Sequence, residues 1–262
     1  MGWSCTKKPN WLELPTDLMK NILQRLDTLD IVMSVRYVCA LWWNIYKDPL
    51  MWSTIRMCDI DLEHIGMDSL EKIARRAIDL SCGHMKEVYI DYFATDDLLK
   101  YLSERATHLR RLRLSHCYGG ISNKGLSEFV KKFSLLEELD ISFDEDAYDG
   151  SLEEIGLCCP LLKSLKLRRM ISSYYFNDAF TIAKTMSGLR HLTLSRIWLS
   201  DDRLLAILDG CPLLESLDMQ NCLLFKFSES LEKRCLEQIR DLQLPKICCQ
   251  PYKTVMVLPR RY

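Results

Sequence analysis

Several things are scarce in this chain, and each scarcity closes a class of function. Net charge is almost absent: 35 Lys and Arg balance 36 Asp and Glu, leaving -1. Proteins that hold phosphate backbones carry a strongly basic face, so nucleic acid is not an expected partner. No apolar run approaches the roughly 18 residues that a membrane span needs, so no membrane partner is expected. There is no Asn-x-Ser/Thr sequon, and the first ten residues, MGWSCTKKPN, hold no apolar signal-peptide core. The twelve cysteines are therefore expected as reduced thiols in the cytoplasm, the nucleus or both. No C-x-x-C or H-x-x-x-H pair offers zinc a site, so no metal is expected. The run 119–125, GGISNKG, has glycines and a lysine but not the P-loop order. Met1-Gly2-Trp3-Ser4-Cys5-Thr6 fits the bare myristoylation pattern, yet the pattern is short, and residues 1–10 are expected as a disordered N-terminus.

What the chain does have is a repeat. The unit apolar-x-x-apolar-x-apolar occurs as MKEVYI (85–90), LRRLRL (109–114), LEELDI (136–141), LKSLKL (162–167), LRHLTL (189–194), LESLDM (214–219) and IRDLQL (239–244). The starts lie 24, 27, 26, 27, 25 and 25 residues apart, and an earlier copy, WSTIRM (52–57), lies 33 before the first. This spacing falls within the leucine-rich-repeat range. Alternation with period two makes a short strand with one buried face. Between the strands, 96–104, 122–132, 151–158, 177–186 and 201–209 read as helices, each opening on a Ser, Asn or Asp able to cap free N–H groups. A strand and its helix cannot cover each other alone, so the units must stack around a shared core. CCPLLKSLKL (158–167) and GCPLLESLDM (210–219) are near-duplicates, in which proline ends a helix and the small cysteine packs beneath the turn. Cys117 and Cys222 each fall eight residues after a strand start, on the exit turn. Packing thus explains many of the thiols. It also weighs against Cys117 with His116 as a nucleophilic pair.

The first fifty residues follow another rule. Residues 15–26 read as a helix with Pro15 near its first position, where a missing N–H costs little. Its apolar residues Leu18, Met19, Ile22, Leu23 and Leu26 cover a wider face than one core requires. A second helix opens near Asp27-Thr28-Leu29-Asp30, and Val35, Val38, Cys39 and Trp42 are spaced as a third, which Asp48-Pro49 stops. So short a segment rarely holds its own core without metal, disulfide or partner. Part of it should dock on the first repeat, with Trp43, Leu50 and Trp52 as the cap. The surplus face should bind another protein.

LPTDLMKNILQRLDTLDIVMSVRYVCALWWNIYKDPLMW (14–52) resembles an F-box: Leu-Pro, Asp-Leu, Ile-Leu and Leu, an acidic opening to the second helix, Val-Cys-x-x-Trp, and a closing Leu-x-Trp. Followed by cysteine-containing leucine-rich repeats, it resembles the F-box/LRR proteins, most closely the short plant-type form. The resemblance implies an α/β leucine-rich-repeat solenoid, an open arc with parallel strands on the concave face and helices outside, preceded by a three-helix F-box. The F-box would span 11–50 and about seven to eight repeats 51–258. It further implies a non-catalytic substrate-recognition subunit of a Skp–cullin–F-box ubiquitin ligase. The positions facing a Skp-family adaptor, and through it a cullin, would be Leu12, Leu14, Pro15, Leu18, Ile22, Leu26, Val38 and Trp42. A stand-alone interaction scaffold, with the first helices serving only as a cap, is the alternative. Some larger members hold small molecules inside a closed ring; an open arc without a carboxylate-free basic cluster implies no cofactor here.

An unknown protein client is expected on the concave face, where the columns flanking the strand leucines bring together Tyr89, Arg111, Arg113, Glu138, Asp140, Lys166, Arg168 and His191. In adjacent parallel strands Arg111 and Arg113 would neighbour Glu138 and Asp140, and these Lys166 and Arg168. That row reads equally as an ion-pair ladder on a solvated face or as a groove of alternating charge. The acidic run 143–149 and the aromatic run 170–176 are loop alternatives for client binding, the second of which can instead fold under the next helix. The C-terminal PYKTVMVLPRRY is expected to close the open end of the core.

Overall fold

The computed structural model describes residues 13–60, 65–117, 119–143, 151–173, 178–224 and 228–245. Helices α1 (Thr16–Leu23), α2 (Thr28–Met33) and α3 (Ala40–Tyr46) form the N-terminal head, with short 3-10 turns at Val35–Tyr37 and Pro49–Trp52. Strand and helix then alternate: β1 (Thr54–Met57), α4 (Met67–Leu80), β2 (Glu87–Asp91), α5 (Asp96–Ser103), β3 (Arg111–Ser115), α6 (Asn123–Val130), β4 (Glu138–Phe143), α7 (Ser151–Cys158), β5 (Ser164–Ser173), α8 (Asp178–Thr185), β6 (His191–Leu199), α9 (Asp201–Gly210), β7 (Ser216–Leu224), α10 (Glu229–Gln238) and β8 (Asp241–Gln243). The eight strands form one parallel sheet in chain order from β1 to β8, the α/β solenoid that the repeat requires.

Register follows the repeat. Leu112 lies beside Leu139, Leu139 beside Leu165, Leu165 beside Leu192 and Leu192 beside Leu217, each one fully buried. Two units also cap the helix of the next. Asp96, in the first turn of α5, accepts bonds from Ser122 N (2.8 Å) and Ser122 Oγ (2.6 Å), while Ser122 Oγ accepts from Gly125 N (3.0 Å) at the start of α6. Asp201 accepts likewise from Ser228 N at 3.3 Å. Helix N-termini thus exchange free N–H groups for carboxylate bonds that also fix the stacking. The outer helices approach closely: a Cβ at Gly210 would stand 2.3 Å from the Ala183 carbonyl oxygen, so only glycine fits.

The structure departs from the sequence expectations in four places. The third helix begins at Ala40, not Val35, because Ser34 leaves the helical region and Cys39 is fully extended (φ -163°, ψ 172°). Val35, Val38, Cys39 and Trp42 therefore do not share one helix. The long gap before the second strand contains α4, whose Leu70, Ala74, Ala77 and Ile78 are buried at helical spacing. Residues 170–173 continue β5 instead of starting a loop, and β6 also runs on past a register shift near Arg196 (φ 58°). Residues 174–176, 144–149 and the C-terminal PYKTVMVLPRRY lie outside the described residues, as do residues 1–12. Finally, of the three residues expected to cap the solenoid, Trp52 does so: it is fully buried, donates from Nε1 to Tyr46 O at 2.8 Å and meets the Tyr46 ring edge-on at 5.2 Å. Trp43 and Leu50 face solvent.

Head and repeats share one core. Met19, Leu23, Ile45, Tyr46, Met51 and Trp52 pack continuously with Ile55 and the strand residues beyond. Thr28 Oγ1 accepts from Arg56 N at 2.9 Å and ties α2 to β1. Lys20 pairs with Asp48 at 2.5 Å, and Asp48 accepts from Leu50 N at 3.0 Å.

Candidate functional site

The wide apolar face of α1 resolves into two stripes. Met19 and Leu23, four apart, point inward and are buried. Leu18, Ile22 and Leu26, also spaced by four, lie beside them and point out, exposed by 52%, 39% and 38%. Val38 joins them at 56%, because the break between α2 and α3 pushes it out of helical alignment. Pro15 is exposed at the head of α1; Leu14 and Trp42 are half-buried against the core, which leaves part of each free. Leu12 lies outside the described residues.

Sequence reasoning did not assign Met33, Tyr37, Trp43 and Leu50 to this surface, yet all four are exposed on the same head. Tyr37 carries the Arg36 guanidinium over its ring at 4.5 Å, and Trp43 stacks on Tyr46 at 5.4 Å with the Lys47 ammonium 5.3 Å from its centroid. No spacing signal marked Tyr37, because the helix break after Ser34 leaves the apolar period intact. Scattered single apolar residues are ordinary on a surface; so many on one small head suit an interaction surface.

On the strand face, the expected charged residues do meet. Arg111 bonds both Glu87 and Glu138, the latter at 2.8 Å. Arg113 reaches Asp91 at 3.3 Å and Asp140 at 3.9 Å, and Asp140 also holds Arg168 at 3.3 Å. The first ladder runs across β2 to β4 and the second across β2 to β5. Glu138 and Glu87 hold the Arg111 guanidinium charged. Tyr89 donates to Glu87 at 3.0 Å, and burial, followed by that carboxylate, pushes its phenol up to about 12. Lys166, beside Asp140 in register, and His191, beside Ser164, are exposed.

The buried cysteines act as backbone caps. Cys117 donates to Ser115 O at 3.3 Å, Cys222 to Leu194 O at 3.1 Å and Cys211 to Met186 O at 3.6 Å. Burial pushes these thiols up to about 11, 12 and 11. The His116 ring stacks on Tyr92, centroids 5.1 Å apart. A raised, carbonyl-bound thiol beside a stacked imidazole is a poor nucleophile, since the thiolate is the reactive form. Among the described residues no group of three or more His, Cys, Asp or Glu is arranged to hold a metal ion, and no helix is long and apolar enough to cross a membrane.

The sequence is similar to those of known proteins. The F-box domain family matches residues 11–42. F-box/LRR-repeat protein 22 of Arabidopsis thaliana is 40% identical over 257 residues, covering 95% of this chain and 81% of its own. F-box protein SKIP19 of the same plant is 40% identical over 237 residues, covering 90% and 77%. F-box/LRR-repeat protein 23 is 40% identical over 245 residues; the match takes in 91% of this chain but about half, 54%, of that longer relative. Among solved structures, a Bacteroides fragilis protein superposes over 89% of this chain and 72% of its own with TM-score 0.46 and 11% identity, too loose a likeness to bear on function.

Proposed function

This chain belongs to the F-box/LRR-repeat protein family, and we propose that it is a non-catalytic substrate-recognition subunit of a Skp–cullin–F-box ubiquitin ligase. Its head docks a Skp-family adaptor and, through it, the cullin scaffold. Its concave strand face presents a protein client for ubiquitination, with Tyr89, Arg111, Arg113, Glu138, Asp140, Lys166, Arg168 and His191 as the contact surface.

The observation that carries this reading is the outward stripe Leu18, Ile22 and Leu26 with Val38. The inward stripe already seals the end of the solenoid, so the outward one has no task inside the chain. The concave ladders suit a client surface of high selectivity and modest strength. Their charges are paired beforehand, so a client of the wrong charge order meets repulsion while a matching one gains little per pair. The test is copurification of the full chain with a recombinant Skp-type adaptor, repeated with Leu18→Asp. A folded wild-type chain that fails to retain the adaptor removes the ligase link and leaves an interaction scaffold.

A further inference from the structure

Strands β2 to β8 are each immediately preceded by a charged residue, and most of these are bases: Lys86, Arg110, Lys163, Arg190 and Arg240. The others are Glu137 and Glu215. Backbone bonds tie all of them into one row, each N–H donating to the carbonyl of the member before it. The distance is 2.8 Å from Arg110 to Lys86 and from Arg190 to Lys163, and 3.1 Å from Arg240 to Glu215. Neighbours therefore lie one strand spacing apart, about 4.8 Å, and the row runs about 29 Å along the edge where the chain enters the sheet. All the bases in it are exposed. Glu137 pairs with Arg110 and, at 2.9 Å, with Lys163, and Glu215 pairs with Arg190. Lys86 and Arg240 form no ion pair among the described residues.

The row is thus positive, with more bases than acids, in a chain whose total charge is -1. Where these bases make side-chain bonds among the described residues, the acceptors are Glu137 and Glu215. They are not the helix-terminal carbonyls that a cation offsetting a helix dipole would meet. An apolar row runs beside the charged one. Two residues before Lys163 and Glu215 stand Leu161 and Leu213, exposed by 44% and 50%. Leu135, two before Glu137, is half-buried. These are the first members of repeated Leu-Leu pairs, whose second members, Leu136, Leu162 and Leu214, fill the core. The core uses one leucine of each pair, and neither the adaptor surface nor the concave ladders use the other.

We infer that this edge docks an acidic amphipathic helix of a partner protein. The inference goes beyond the ligase reading and does not depend on it. A helix rises about 1.5 Å per residue, so about 20 residues match the row, and acids three or four apart keep step with adjacent strands. Leu161 and Leu213 belong to strands two apart, about 10 Å, which a helix meets with apolar residues seven apart on one face. Glu137 and Glu215, set among the bases, disfavour a phosphate backbone or an anionic membrane, whose charge is uniform. A polypeptide can set its acids opposite the bases and neutral residues opposite the glutamates.

The experiment is fluorescence polarisation of a labelled helical peptide titrated with the full chain. The peptide has about 20 residues, with glutamates three or four apart and leucines seven apart on one face. Competitors are a scrambled peptide of the same composition, a DNA duplex and phosphatidylserine vesicles. Saturable binding that weakens as salt rises, about tenfold or more tighter than that of the scrambled peptide, supports the site. Lys86→Glu with Arg240→Glu breaks no ion pair among the described residues and should weaken the peptide about tenfold. Leu161→Ser with Leu213→Ser, both at exposed positions, should weaken it by about tenfold or more without lowering the melting temperature. No binding of the ordered peptide, equal binding of the scrambled one, tighter binding of DNA or vesicles, or undiminished affinity in either double variant each overturn the inference. Adaptor retention is measured alongside. A wild-type chain that binds the peptide but no adaptor refutes the ligase reading alone, and one that binds the adaptor but not the peptide refutes this edge alone.

Discussion

Leu18→Asp is the sharpest perturbation of the head. Leu18 is about half covered in the free chain, and full burial of a leucine is worth about 1.5–3 kcal/mol, so adaptor docking has about 1 kcal/mol left to gain from it. Ile22, Leu26 and Val38 each retain a comparable share, for about 4 kcal/mol from the stripe before association costs are subtracted. Leu18→Ala should then weaken the adaptor by about fivefold. Leu18→Asp also leaves a carboxylate unpaired in a dry interface, a further cost of about 3–5 kcal/mol, so the loss should approach a thousandfold or more. In the free chain the same aspartate stays in water and should cost about 1 kcal/mol of stability at most. The contrast is Leu23→Asp, one helical step inward and fully buried, which should unfold the head. Calorimetric titration of the adaptor, with thermal melts by circular dichroism, separates the two. The two-stripe reasoning fails if Leu18→Asp binds within threefold of wild type, or if its melt collapses as that of Leu23→Asp should.

Other outcomes follow from the packing and the charges. Gly210→Ala forces a methyl group onto the Ala183 backbone and should destabilise the chain by about 1–3 kcal/mol, read as a lower urea midpoint. At neutral pH, mass spectrometry after iodoacetamide treatment should find Cys82, which is exposed, alkylated before Cys117, Cys211 and Cys222, which stay protected until the chain is denatured. Lys20 holds the Asp48 carboxyl below its usual range, so its contribution is present above the unfolded value of about 3.9 and is lost as pH falls through the folded one. Urea midpoints of wild type and Asp48→Asn should therefore differ at neutral pH and converge in acid; an unchanged gap at low pH refutes the assignment.

Much of the solenoid was legible because its physics is local and periodic. A strand whose alternate residues are leucine must bury that face, and a 25-residue rhythm leaves room for one helix between strands. The weaker places had weaker local signals. The 33-residue first interval hid α4, whose small Ala74 and Ala77 contribute little apolar contrast. The break at Ser34 to Cys39 was invisible to spacing, since Val35, Val38 and Trp42 obey the helical period although the backbone does not. Trp43, Leu50 and Trp52 are alike in type, so composition could not tell which of them the first repeat covers.

The sequence by itself determined the strand order, the identity of the buried column and the presence of a surplus apolar face at the N-terminus, because each depends only on spacing along the chain. Tertiary structure alone decided which stripe of α1 is core and which is free, since that depends on where Trp52 and Tyr46 seat the helix against the first repeat. Spacing sets which residues share a face of one element; only packing sets what that face meets.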